Sequence, residues 1–155
     1  MRGGAAGAHA GRTVFLGLLL SIVGLGIDLV ELDRVRGMLE RRAEQVMQKL
    51  LTPHEREYVE SRADPVPHIA ARIAAKEAVY KALQTLPDAR GVGWREIEVW
   101  RALDGRPSIS LLGSAAAIVA AAGGLTIHLS LTHSATSAAA VAVIERAGNQ
   151  KAAGT

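Results

Sequence analysis

The chain has 155 residues, enough for one domain, and its 49% apolar and 21% charged residues exclude wholesale disorder. Aromatic residues make up only 3%, so the core must be aliphatic and rich in alanine. The absence of cysteine excludes disulfides, thiolate metal sites and cysteine nucleophiles, while the net charge of +3 suits an anionic partner without any aromatic-interleaved basic run that would point to nucleic acid.

Residues 1–12 are rich in glycine and alanine and lack periodicity, as do residues 147–155, and both are expected to be disordered. Val14–Ile27 is an apolar stretch preceded by Arg2 and Arg12, which imitates a secretory signal. It falls short of the roughly 18 apolar residues of a membrane span, and no small-x-small cleavage site follows it. The expectation is an N-terminal extension, residues 1–20, leading into a domain at 21–146, with no membrane association.

Ser21 to Val30 reads as a buried strand, with Val23, Leu25, Ile27 and Leu29 on one face. Gly24, Gly26 and Asp28 lie on the other, where two glycines beside an acid suggest an uncovered patch open to a ligand. Glu31 to Leu51 has helical spacing of Leu32, Val35, Leu39, Val46 and Leu50. Thr52, Pro53 and Glu55 start a second helix with a capping box, running to about Arg62. His68 to Gln84 is the clearest helix, with Ile69, Ile73, Tyr80 and Leu83 in one stripe. Trp94 to Arg101 alternates like a strand, Asp104-Gly105 is a hairpin turn, and Ser108 to Leu112 returns. Ser114 is placed to cap a short alanine-rich helix ending at Gly123-Gly124. Leu125 to Thr132 and Ala138 to Ile144 complete the strands. Late strands joined by short turns point to an α+β domain with a mostly antiparallel sheet packed on a long helix and shorter ones.

Asp28 closes an apolar strand, and a buried carboxylate needs a cation, a donor or water. The alternative is an acid capping the next helix. Glu77 borders the apolar stripe of its helix, and the alternative is a surface Glu77–Lys81 pair at i,i+4. Arg72 and Lys76 are like charges at i,i+4, which repel unless an anion sits between them; a solvated basic face is the alternative. His133 ends a strand whose other face carries Thr126, His128, Ser130 and Thr132, suited either to phosphate recognition or to an exposed sheet edge. Acid pairs with few histidines favour a hard ion such as Mg²⁺.

Five segments, in order, resemble the holo-acyl-carrier-protein synthase family of 4′-phosphopantetheinyl transferases. Gly26-Ile27-Asp28-Leu29-Val30-Glu31-Leu32 with Arg34 is similar to its opening, and Leu51-Thr52-Pro53-His54-Glu55 to its next motif. Ala71-Arg72-Ile73-Ala74-Ala75-Lys76-Glu77-Ala78 with Lys81 resembles its helix signature, Gly105-Arg106-Pro107 its turn, and His128-Leu129-Ser130-Leu131-Thr132-His133 its late strand. Ala71 and Ile73 stand where the signature usually has glycine and phenylalanine, and the extension before Ser21 is atypical. The resemblance implies transfer of 4′-phosphopantetheine from coenzyme A to a serine of an acidic acyl carrier protein, in the cytoplasm. It further implies Mg²⁺ on Asp28 and Glu77, with Asp28, Glu77 and Lys81 as the catalytic group. Lys81, Arg72, Gly105, Arg106, Pro107 and His133 are then expected along coenzyme A, and Arg34 and Arg72 toward the carrier protein or coenzyme A. A homotrimer with active sites shared between neighbouring subunits is also implied.

Overall fold

The computed structural model describes residues 21–146, so the expected extension at 1–20 and tail at 147–155 lie outside the described residues. Strand β1 (Ser21–Glu31) is followed by helices α1 (Leu32–Leu50), α2 (Pro53–Glu60) and α3 (Val66–Leu83). Two 3₁₀ turns, Ala89–Gly91 and Trp94–Glu96, lead to β2 (Ile97–Arg101) and β3 (Pro107–Leu111). Helix α4 (Gly113–Ala122), β4 (Leu125–His133) and β5 (Ser137–Arg146) complete the domain. The sheet β1-β5-β4 is antiparallel throughout, and β2-β3 forms a separate antiparallel hairpin.

Local chemistry accounts for most of the boundaries. The Thr52 hydroxyl accepts from the Glu55 N–H while the Glu55 carboxylate accepts from the Thr52 N–H, and Pro53 occupies the first turn of α2. Gly105 has φ of +86° in the β2–β3 turn, a conformation glycine adopts without steric cost. Trp94–Glu96, expected as strand, is a 3₁₀ turn, because the Glu96 carboxylate folds back to accept the Gly93 N–H. The same carboxylate accepts from the Ser114 N–H, so Glu96 takes over the start of α4 and the Ser114 side chain does not cap it. Helix α1 departs from helical geometry at Arg42.

Helix α3 lies across the sheet, and the face of β1 it covers is the glycine face. A Cβ at Gly24 would run into the carbonyl oxygen of Ala82, and one at Gly26 into that of Ala78. The two glycines therefore serve close helix–strand approach, and the expected open patch for a ligand is filled by α3. Ala74, Ala78 and Ala82 on α3 and Ala138, Ala140 and Ala142 on β5 are buried, so small residues line both sides of the contact. The face expected to be core points the other way: Leu25, Ile27 and Leu29 are 65%, 65% and 63% exposed.

Gly26→Ala is expected to cost about 3 kcal/mol, the upper end of the overpacking range, since a helix backbone cannot rotate aside. Urea unfolding reads this directly. Gly37→Ala, whose Cβ would meet only the flexible Arg41 side chain, is the control. Equal midpoints for the two variants would contradict the close approach.

Candidate active site

Asp28 and Glu77 come together. Asp28 lies on the α3-facing side of β1 and is 18% exposed; Glu77 is half-buried on α3. Both line a cavity of about 240 Å³, together with Arg34, Val35, Met38, Ile73 and Trp94. Lys81, one turn beyond Glu77, places its Nζ 2.7 Å from Asp28 Oδ1 and 3.0 Å from the Ile27 carbonyl oxygen. Lys81 thus pairs with Asp28 across the helix–strand contact and not with Glu77 on its own helix. Glu77 and Trp94 also line an adjoining space of about 280 Å³ with Tyr80, Val92 and Ile97.

Among the described residues no cluster of three or more histidine, aspartate or glutamate side chains could chelate a metal. Two carboxylates facing one cavity still fit Mg²⁺, which keeps several waters and takes only one or two protein carboxylates. The donor set is all oxygen, which suits a hard cation and not zinc or copper.

A second cavity of about 240 Å³ gathers Arg72, Gly105, Pro107 and His133 with Tyr58, His68, Trp100 and Thr132. The Arg72 guanidinium lies 4.1 Å from the centroid of the Tyr58 ring and donates to the His68 carbonyl at 3.2 Å. Arg62 approaches the same ring at 4.2 Å. Burial, then the positive charges of Arg62 and Arg72, hold the His68 pKa below its ordinary value. Two buried side-chain nitrogens here have no partner among the described residues, Arg72 Nε and Trp100 Nε1. An orphan guanidinium N–H in a cationic cavity calls for an anion. Arg106, expected beside these groups, instead pairs with Asp104 and faces a groove between β3 and β4.

Lys76 overturns the picture of a solvated basic helix face. It is 1% exposed, and its ammonium lies 2.7 Å from Glu55 Oε2 and donates to the Trp94 carbonyl at 2.8 Å. Glu55 is itself fully buried and also accepts from the Val99 N–H at 2.8 Å. Burial pushes the Lys76 pKa down and Glu55 opposes that shift. The anion that the Arg72–Lys76 spacing demands is therefore Glu55 in part, a residue that the sequence marks as a helix cap and as the end of the second family-like motif. Nothing in the spacing of Glu55 and Lys76 marks them as partners.

Residues 24–142 match the 4′-phosphopantetheinyl transferase superfamily, and that match gives the class of this helix-on-sheet domain, which brings an acid from each layer to one cavity. A holo-[acyl-carrier-protein] synthase of Maridesulfovibrio salexigens is 44% identical over 125 residues, covering 81% of this chain and 99% of that protein. The structure of a holo-(acyl-carrier-protein) synthase from Bacillus anthracis in complex with CoA (3′,5′-ADP) superposes with a TM-score of 0.66 at 32% identity, over 81% of this chain and 98% of that one. The Neisseria meningitidis synthase gives a TM-score of 0.71 at 26% identity, over 81% and 100%. The chain belongs to the holo-[acyl-carrier-protein] synthase family.

Proposed function

We propose that the chain transfers 4′-phosphopantetheine from coenzyme A to a serine of apo-acyl carrier protein, releasing adenosine 3′,5′-bisphosphate. The observation that carries this is the meeting of Asp28 and Glu77 in one cavity with Lys81 at hand, in a chain of this family. The serine oxygen forms a bond to the β-phosphorus as the bond from that phosphorus to the bridging pyrophosphate oxygen breaks. The serine proton passes to a base, for which Glu77, Asp28 and a bound water are the candidates. Mg²⁺ held by Asp28 and Glu77 would supply Lewis-acid polarisation of the pyrophosphate oxygens. Lys81 would offset charge growing on the leaving phosphate. Arg72 and His133 suit the nucleotide end, where Arg72 Nε and Trp100 Nε1 await a partner. Arg34 lines the Asp28 cavity from α1 and would steer an acidic carrier protein toward it.

A homotrimer with shared sites agrees with two further features. Asp28 and Glu77 line one cavity and Arg72 and His133 another. A ligand as long as coenzyme A needs both halves, and a neighbouring copy is a natural source of the second. The exposed apolar face of Leu25, Ile27, Leu29 and Val141 is a surface such a copy would cover. No described helix is long and apolar enough to cross a membrane. A reaction fed by coenzyme A fits the cytoplasm.

The test is mass spectrometry of apo-acyl carrier protein incubated with this chain, coenzyme A and Mg²⁺. A mass gain of one phosphopantetheine group, abolished by EDTA, is expected. Release of adenosine 3′,5′-bisphosphate with no gain on any carrier protein would replace transfer with hydrolysis. Native spectra of the same sample read the assembly mass, and a monomer would remove the shared-site reading.

A further inference from the structure

We infer that Lys81 is a stand-in cation for Asp28: its ammonium competes with a divalent ion for the carboxylate and leaves it for the pyrophosphate of coenzyme A. Metal and coenzyme A then bind more tightly together than either binds alone. This rests on the metal and coenzyme A reading above and adds a coupling between the two ligands.

The geometry separates a fixed partner from a movable one. Asp28 is held on β1 under α3 with its side chain only 18% exposed, whereas the Lys81 side chain is 49% exposed. The lysine stem can swing toward solvent without disturbing the core, while the carboxylate stays in place. Lys81 Nζ satisfies two oxygens of the strand, Asp28 Oδ1 at 2.7 Å and the Ile27 carbonyl at 3.0 Å. Oxygen donors of this kind are also what a hard divalent ion takes. Lys81 has an alternative partner of the same charge one turn back on its own helix, Glu77, and does not use it. Glu77 is left facing the cavity that Asp28 also lines.

Charge decides the direction of the coupling. Asp28 and Glu77 against Lys81 and the cavity-lining Arg34 leave this group of side chains balanced in charge. A divalent ion added with Lys81 in place makes it positive, and like charges in a half-buried space oppose that step. The pyrophosphate restores the balance by drawing Lys81 away from Asp28. Coupling of this sort is reciprocal, so each ligand strengthens the other by the same factor.

The test uses the full chain with Mn²⁺ as the probe. Free ion is read by electron paramagnetic resonance with and without coenzyme A, and no carrier protein is present. Wild type is expected to bind Mn²⁺ about tenfold tighter with coenzyme A than without it. Lys81→Met should bind Mn²⁺ alone about tenfold tighter than wild type and show little further gain from coenzyme A. Lys81→Arg should keep the wild-type pattern, because the cation remains. Lys81→Gln, which stays polar at a half-exposed position, should repeat the methionine result. If Lys81→Met binds Mn²⁺ no tighter than wild type while Asp28→Asn abolishes binding, the stand-in role is wrong and the metal site stands. If Asp28→Asn binds Mn²⁺ as wild type does, the metal site itself fails and the stand-in role falls with it.

Discussion

Glu77→Gln should lower the transfer rate by roughly 10²–10³-fold, the scale of losing one electrostatic stabiliser of a transition state. The substitution keeps the size of the side chain and removes its charge. Glu77 is half-buried on the third helix, and the surrounding alanines do not depend on its carboxylate for packing. Thermal stability should therefore change little while the mass gain on the carrier protein slows. Under the proposed function, the variant would lose one of the two carboxylates proposed to hold Mg²⁺ and one candidate base for the serine proton. These two roles separate under Mg²⁺ titration. A missing ligand raises the Mg²⁺ needed for half-maximal rate, whereas a missing base lowers the rate at saturating Mg²⁺ without moving that requirement. A loss of less than tenfold in rate, with an unchanged Mg²⁺ requirement, would remove Glu77 from the site.

Lys76→Met should destabilise the protein by about 3–5 kcal/mol, because it strands a buried carboxylate. Glu55 is fully buried, and its Oε2 faces the Lys76 ammonium at 2.7 Å. The Thr52 and Val99 amide groups still donate to Glu55 in the variant, but neutral donors do not cancel its charge. Many domains have a total stability of only about 5–15 kcal/mol, so a loss of this size takes a large share of it. The double variant Glu55→Gln/Lys76→Met removes both charges and should recover most of the loss, since an apolar or neutral replacement of a buried pair is often tolerated. Urea midpoints of the single and double variants measure the coupling. Additive effects would show that the two side chains act independently, and a small loss in Lys76→Met would mean that Glu55 is solvated.

These two residues also mark where reading the sequence stops. Glu55 completes a capping box in four consecutive residues, and that part of its role was visible because caps are local. Its second role, neutralising Lys76 and accepting from Val99, joins three elements far apart in the chain. No spacing rule carries that information. The like charges of Arg72 and Lys76 did signal a missing anion, but not that it would come from the protein itself.

The sequence alone determined the order and type of the α-helices and of the β-strands apart from the 3₁₀ turn at Trp94–Glu96, together with the turn at Asp104-Gly105, the start of the second helix and the alternation of β4. It also carried the motif order that places Asp28, Glu77 and Lys81 in a known family. These are properties of contiguous residues, governed by backbone conformation and by periods of two or 3.6. The tertiary structure decided which face of β1 is the core. An apolar stripe of Leu25, Ile27 and Leu29 is the better hydrophobic face by composition. The helix took the glycine face, because only there could its backbone approach the strand closely enough to pack alanine against alanine. The same contact brought Lys81 onto Asp28. It also left Arg72 and His133 in a different cavity from the acids, a division that depends on how α3 is turned against the sheet and is written in no single stretch of the chain.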